Sequence, residues 1–121
     1  MKLVIAVLMS LWLVPAHANK VQVLDVKVHC SAVSVCDFAV TLKHNDTGWD
    51  HYANRWEVRR LDGEVLGVRT LFHPHVHEQP FTRSLSGVKI PAGVKQVEIV
   101  AFDNVHGEGL KPFRVQLPGS E

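Results

Sequence analysis

The sequence predicts an all-β protein built as an antiparallel sandwich. After residue 18 the chain is a succession of short apolar or alternating runs separated by turn residues, without a convincing helical period. Seven runs recur at the spacing of sandwich strands, and Trp56 lies on the third. A chain of 121 residues is long enough for one such domain and too short for two. These observations together favour a seven-stranded sandwich of the immunoglobulin or fibronectin III kind.

The first 18 residues have the pattern of a removable export signal, which leaves one domain over residues 19–121. Lys2 gives a positive start, residues 3–14 are an apolar stretch, and Ala16-His17-Ala18 is a small-residue cleavage site. The apolar stretch is too short to cross a bilayer, and no second stretch of that length follows. We therefore expect an exported protein that begins at Asn19 and is not inserted in a membrane.

The strands follow from alternation and turn residues. A change of parity in the first strand predicts a bulge near Leu24 and Asp25. The third strand should bury Trp56 and expose Glu57, and Asp62-Gly63 after it is the strongest hairpin pattern in the chain. The predicted strands, in chain order, cover residues 21–30, 35–43, 54–61, 64–72, 81–90, 96–103 and 113–117.

Cys30 and Cys36 are the only cysteines, and their spacing fits no CxxC redox or zinc pattern. In an oxidising compartment such a pair favours a disulfide, with free or redox-active thiols as the alternative. The disulfide would join the first two strands, whereas an immunoglobulin domain ties its second strand to its sixth. The fold is therefore predicted from patterning alone, which does not give a function.

Composition excludes several function classes. Once Lys2 leaves with the signal, 12 basic residues match 12 acidic ones and lie scattered along the chain. This balance argues against a nucleic-acid binder and against a polybasic membrane anchor. Both methionines, Met1 and Met9, lie in the signal, which excludes a thioether-based Cu(I) carrier.

The histidines are predicted to gather at one end of the sandwich. Successive strands run in opposite directions, so the loops after strands two, four and six lie at the same end. Of the histidines after the signal, only His29 falls at the other end. The histidine end receives His44, His51, His73, His75, His77 and His106, and the acidic residues Asp46, Asp50, Asp103 and Glu78.

This clustering predicts a metal site. Period 2 would place the three imidazoles of residues 73–77 on one face if that segment is extended. Imidazole suits Zn(II) and Cu(II), and a nearby carboxylate can ligate the ion or orient a ring. The alternative is that these are ordinary solvated loop residues. The predicted ligands are His51, His73, His75, His77, His106, Asp50, Asp103 and Glu78.

Two other features have competing interpretations. Trp49 and Tyr52 form either a recognition loop or a cap that orders the end of the sandwich. Ser84 and Ser86 lack the elbow motif of a hydrolytic nucleophile, so we do not expect an enzyme.

The runs GWDHYANRWEV (residues 48–58), HPHVHEQPFTRSL (73–85) and VKIPAGVKQVEIVAFDNVHGEG (88–109) cover most of the chain after the signal. In them the chain resembles a group of small exported bacterial proteins without an established activity. The resemblance implies a periplasmic location. Its matching elements, His73-Pro74-His75 and Glu78-Gln79-Pro80-Phe81, favour a ligand set drawn from His51, His73, His75 and His106.

The sequence therefore predicts a periplasmic, non-enzymatic metal-binding protein that uses loop histidines to hold Zn(II) or Cu(II) for buffering, delivery or sensing. The alternative is an interaction or accessory module whose histidine-rich end meets another periplasmic protein and responds to pH.

Overall fold

A computed structural model describes residues 19–119, and the predicted export signal lies outside them. This part of the chain is all-β, as predicted, with no helix. Its strands are β1 Gln22–Cys30, β2 Val35–Lys43, β3 Ala53–Arg59, β4 Val65–Thr70, β5 Phe81–Lys89, β6 Gln96–Asp103, β7 Gly107–Glu108 and β8 Phe113–Gln116. The predicted count of seven is wrong for these residues, because the loop after β6 contains the two-residue strand β7.

The strands form two antiparallel sheets. The smaller sheet has the order β1-β2-β5. In the larger sheet β4, β3 and β6 are neighbours, and β7 and β8 both pair with the other side of β6. β8 pairs with Gln96–Ile99 and β7 with Phe102 and Asp103. β7 therefore extends the sheet at the end of β6 where Asp103 lies.

The core lies between the facing sides of the two sheets. Trp56 on β3 is fully buried, as predicted, and belongs to the same core cluster as the inward residues of β2. Burying these apolar side chains is the main favourable contribution to folding. The largest fully buried side chains are Trp56, Phe38, Leu42, Ile99, Val21, Val40, Val58 and Val97.

One predicted exposure is wrong. Glu57 points to the outer side of the larger sheet, yet it is only 5% exposed. Arg59 Nη2 lies 3.2 Å from one of its carboxylate oxygens and Arg55 Nε 3.8 Å from the other. The Arg55 guanidinium also stacks on Phe102 at 3.7 Å. Glu57 is therefore covered by long side chains of its own sheet, which strand alternation does not reveal.

The predicted connections between strands are present. The register of β1 shifts between Val23 and Asp25, which is the predicted bulge. Gly63 has a φ of +97° in the turn between β3 and β4, a conformation that glycine adopts without strain. Cys30 and Cys36 are register partners and form the predicted disulfide.

Candidate metal centre

Two loops, the end of β6 and the start of the described chain meet at one end of the sandwich. The loop after β2 provides His44 and His51, and the end of β6 provides Asp103. The loop after β6 provides His106, and Asn19 approaches from before β1. The ring centroids of His44 and His51 are 4.8 Å apart, and those of His51 and His106 are 4.9 Å apart. A histidine cluster is therefore present at the predicted end.

His44 is buried and bonded at both ring nitrogens. Its Nδ1 lies 2.5 Å from Asp46 Oδ1, and its Nε2 lies 2.9 Å from the carbonyl oxygen of Asn19. A carboxylate and a carbonyl only accept hydrogen bonds, so the ring makes both contacts together only when both nitrogens carry protons. A metal ion can replace the proton on Nε2, while Asp46 continues to hold Nδ1.

Asp103 is the central carboxylate of the cluster. Its Oδ1 accepts hydrogen bonds from the amides of Val105 and His106, at 2.8 and 2.6 Å. Its Oδ2 lies 3.2 Å from Nδ1 of His106. Burial alone raises the pKa of Asp103, but these hydrogen bonds and the nearby His106 ring outweigh burial and hold the pKa below its ordinary value. Asp103 is therefore ionised at neutral pH.

His51 has an unsatisfied nitrogen that faces this carboxylate. Its Nε2 lies 3.2 Å from Oδ1 of Asp103, but the two atoms lack the alignment of a hydrogen bond. The atom is buried and has no hydrogen-bond partner. On the other side of the ring, the amide nitrogen of Asn19 lies 3.2 Å from Nδ1. Because a buried polar atom without a partner costs free energy, Nε2 is a site where a ligand would be stabilising.

His44, His51 and Asp103 each offer one ligand atom, and these atoms all lie within 4.8 Å of one another. Ligand atoms around a tetrahedral zinc ion are about 3.4 Å apart, since each lies about 2.1 Å from the ion. The most widely spaced ligand atoms would therefore have to approach each other by about 1.4 Å. Side-chain rotation supplies movements of this size, so the donor set fits a divalent ion.

Asp46 connects this cluster to a second one. Its Oδ1 accepts hydrogen bonds from Nδ1 of His44 and the amide of Ala53, and its Oδ2 accepts one from the amide of His75 at 2.7 Å. Burial alone raises the pKa of Asp46, but the hydrogen bonds from His44, His75 and Ala53 outweigh it and lower the pKa below the ordinary value. Asp46 is therefore a buried, ionised carboxylate that supports His44.

The second cluster contains His73 and His75. Their ring centroids are 4.6 Å apart, and the His75 ring stacks on Phe81 at 4.0 Å. Nε2 of His75 lies 3.0 Å from a guanidinium nitrogen of Arg83, and Nδ1 is buried without a partner. Burial, the charge of Arg83 and the nearby His73 all lower the pKa of His75. These contacts favour a neutral, packed imidazole.

The other predicted ligands lie apart from the triad. Residues 73–79 are not a strand, so the period-2 alignment of three imidazoles is absent: His75 is buried while His77 is exposed. Glu78 is exposed and pairs with Arg83 at 3.2 Å. Asp50 is also exposed, and its described contact is through its backbone oxygen, which accepts a hydrogen bond from Asn104.

The predicted recognition loop is partly exposed. Trp49 is 65% exposed and packs edge to face on Tyr52, with ring centroids 5.5 Å apart. Trp49 is therefore too exposed to act as a cap over the core. The backbone oxygen of Trp49 accepts a hydrogen bond from Asn104, which holds this loop against the loop after β6.

The predicted ligand set omitted His44 and Asp46. A usable pattern was present, because the inward parity of β2, seen at Cys36, Phe38, Val40 and Leu42, continues past its end to residues 44 and 46. All six positions are buried. A histidine and an aspartate that occupy inward positions directly after a core strand are expected to be buried and paired.

Comparisons with known proteins identify a relative of the chain but no matching family model. No family model and no solved structure matches the chain. A protein of Halomicrobium mukohataei named "Putative lipoprotein" is 39% identical over 91 residues. The match covers 75% of this chain and 44% of the relative, so the chain spans less than half of that protein. Among residues 19–119 there is no helix long and apolar enough to cross a membrane.

Proposed function

We propose that the chain is an exported, non-enzymatic metal-binding domain that holds one divalent ion, Zn(II) or Cu(II), through His44, His51 and Asp103. The observation that carries the proposal is the convergence of three ligand atoms within 4.8 Å, one of them a buried nitrogen without a hydrogen-bond partner. Two imidazoles and a carboxylate are a common donor set for both ions.

The charges at this end also favour a cation. The side chains of Asp46 and Asp103 are fully buried, and both carboxylates have pKa values below the ordinary one. Buried negative charges must be balanced, because an unpaired buried ion is costly. The groups in contact with these carboxylates are imidazoles and backbone amides. Positive charge therefore comes from protons on the imidazoles or from a metal ion in their place.

The proposed role is buffering, delivery or sensing of the metal. Three protein ligands leave a coordination position open to water or to a group from another molecule. His106 is an additional donor, since its Nδ1 lies 3.2 Å from Asp103. The His51 side chain is 17% exposed, so an ion bound to it lies within reach of solvent and of a partner, which suits transfer.

The periplasm is the proposed location. The disulfide between Cys30 and Cys36 is consistent with a compartment outside the cytoplasm. The lipoprotein name of the relative points to an exported group, and residues 1–18 have the export pattern.

The strand order supports the proposed fibronectin III kind of sandwich, because a sheet β1-β2-β5 packs against a sheet that contains β4-β3-β6-β8.

Metal analysis of the exported chain tests the proposal. The chain is expressed with its own signal, purified without a tag, stripped with EDTA and titrated with Zn(II) or Cu(II) against a competing chelator. We expect one ion per chain and a higher melting temperature in the loaded form, because a ligand that binds only the folded state stabilises it. His51→Ala should weaken binding at least tenfold.

Two histidine variants serve as controls. His77→Ala removes an exposed imidazole at the same end, and His29→Ala removes one on β1. Both should bind the ion with the affinity of the unchanged chain. Absence of binding above background, or equal loss in all three variants, would show that the proposed site is wrong.

A partner-binding module is the second candidate function. The loops at the histidine end carry exposed large apolar side chains, which often mark interaction sites. These side chains are Trp49, Phe72, Val76 and Val105, with exposed fractions of 65, 76, 43 and 57%. If no metal binds, retention of a periplasmic protein that changes between about pH 5 and 7 and is lost in Trp49→Ala would favour this function.

A further inference from the structure

Asn19 contacts both imidazoles of the proposed site. Its carbonyl oxygen lies 2.9 Å from Nε2 of His44, and its side-chain amide nitrogen lies 3.2 Å from Nδ1 of His51. The same side chain makes two hydrogen bonds with the backbone of Asn45, at 3.0 and 3.1 Å. The chain segment before β1 is therefore part of the cluster, although it is distant from the other residues in sequence.

The position of Asn19 is fixed by the core. Val21, two residues later, is 1% exposed, and its carbonyl oxygen accepts a hydrogen bond from the amide of Leu110 at 2.8 Å. Asn19 itself has a φ of +57°, a left-handed conformation that asparagine tolerates better than most residues. Folding of the sandwich therefore brings the backbone of Asn19 to His44.

The predicted export cleavage falls at this residue. Hydrolysis of the bond between Ala18 and Asn19 by a signal peptidase uses one water: its hydroxyl goes to the carbonyl of Ala18 and its hydrogen to the nitrogen of Asn19. The product nitrogen is a primary amine. Three bonds separate it from the carbonyl oxygen of its own residue, so the two atoms lie at most about 3.7 Å apart. The new amine therefore forms beside the contact between Asn19 and His44.

We propose that the α-amino nitrogen of Asn19 is a fourth ligand of the site and makes it a Cu(II) site. This inference rests on the proposed function and names its metal. Two imidazoles, an amine and a carboxylate form a set of three nitrogens and one oxygen, which suits the tetragonal geometry of Cu(II). In the uncut chain the same nitrogen belongs to a peptide bond, and resonance withdraws its lone pair.

Metal binding and the movement of Asn19 are coupled. An ion on Nε2 of His44 breaks the hydrogen bond from that nitrogen to Asn19, since the proton there leaves to solvent. When an ion binds Nε2 of His51, the proton of the neutral ring lies on Nδ1. Nδ1 then faces the side-chain amide nitrogen of Asn19, which is also a donor, so this hydrogen bond is lost. Both changes release Asn19 from the two imidazoles, so its backbone can turn towards the ion while its side chain stays bonded to Asn45. The complete site consequently exists only after export and cleavage.

The test compares two chains that differ at one end. The first is the exported chain, and intact mass establishes that it begins at Asn19. The second carries one glycine before Asn19, with the disulfide formed and the same circular dichroism spectrum. Each stripped chain is titrated with Cu(II) and with Zn(II) against a competing chelator, and the Cu(II) forms are compared by electron paramagnetic resonance. A chain with one glycine added after residue 121 is the matched control.

We expect the leading glycine to weaken Cu(II) binding at least tenfold and to change the nitrogen splitting of the Cu(II) spectrum, while the trailing glycine changes neither. Zn(II) binding through the side chains should fall less than Cu(II) binding. Equal Cu(II) affinities and identical spectra in the first two chains would overturn the inference but leave the proposed function intact, provided that His51→Ala still weakens binding. A first residue other than Asn19 overturns the inference alone. Absence of binding in every chain overturns both.

Discussion

Asp46 is the residue on which the proposed site depends most, although it is not itself a ligand. Its two oxygens bind Nδ1 of His44 and the amides of Ala53 and His75. It therefore holds a proton on Nδ1 of His44 and leaves Nε2 to face the ligand atoms of His51 and Asp103. Outer carboxylates of this kind orient metal-bound imidazoles and make them more basic.

Asp46→Asn tests this role. The amide keeps the size of the side chain but removes its charge, and it places an N–H group against one of the three donors. We expect metal affinity to fall about tenfold or more, and the free energy of unfolding to fall by about 1–3 kcal/mol because a buried donor loses its acceptor. Chelator competition and urea denaturation measure the two effects. Asp50→Asn is the control, since Asp50 is exposed in the same loop; equal affinities in the two variants would contradict the role of Asp46.

Among the elements, the connection between β7 and β8 fixes the start of β1. The amide of Gly109 donates to the carbonyl oxygen of Ala101 at 2.7 Å, and the amide of Leu110 donates to that of Val21 at 2.8 Å. A Cβ atom on Gly109 would lie 2.4 Å from the carbonyl oxygen of Val21. The close approach of two backbones requires a residue without a side chain here.

Gly109→Ala should separate these two segments. We expect a loss of about 2 kcal/mol or more in the free energy of unfolding, and weaker metal binding because Asn19 is displaced along with Val21. Gly67→Ala is the matched control: its nearest neighbours are the side chains of Leu85 and Val88, at 3.0 and 3.2 Å, which can shift. Urea denaturation of both variants gives the comparison. If Gly109→Ala is no less stable than Gly67→Ala, the proposed packing is wrong.

The strands could be predicted because their patterns are local. β2 and β6 have the predicted bounds, since alternation and turn residues mark both of their ends. β7 and the burial of Glu57 could not be predicted in this way. β7 is defined by its pairing with the end of β6, and Glu57 is covered by neighbouring arginine side chains. Both features depend on pairing and side-chain conformation that the alternation of apolar and polar residues does not specify.

Part of the candidate site could likewise be predicted from the sequence, and part could not. Strand direction predicted the end at which the histidines gather, and this required only the number of reversals before each loop. Which histidines face each other depends on loop conformation, so His77 was predicted as a ligand although it is exposed. Asn19 was not recognised because its contribution comes from contacts with His44 and His51, and no residue pattern around it indicates a ligand.

The whole molecule buries ionisable groups at one end, and its stability should therefore depend on pH in two ranges. Asp46 and Asp103 have lowered pKa values in the folded state. Each contributes stability that is present above the unfolded value, about 4, and is lost as the pH falls through the folded value. His75 also has a lowered pKa. As the pH falls below about 6.5, His75 is protonated in the unfolded chain before it is protonated in the folded chain. The free energy of unfolding therefore starts to fall at that pH.

The contribution of His75 can be isolated by substitution. In urea denaturation at a series of pH values with EDTA present, the free energy of unfolding of the unchanged chain should decrease between about pH 6.5 and 5, and again below about pH 4. His75→Gln should reduce the first decrease and leave the second, because Asp46 and Asp103 remain. His77→Gln removes an exposed imidazole from the same segment and should follow the unchanged chain. If the His75→Gln curve runs parallel to that of the unchanged chain between pH 6.5 and 5, burial of a neutral His75 does not govern stability in this range.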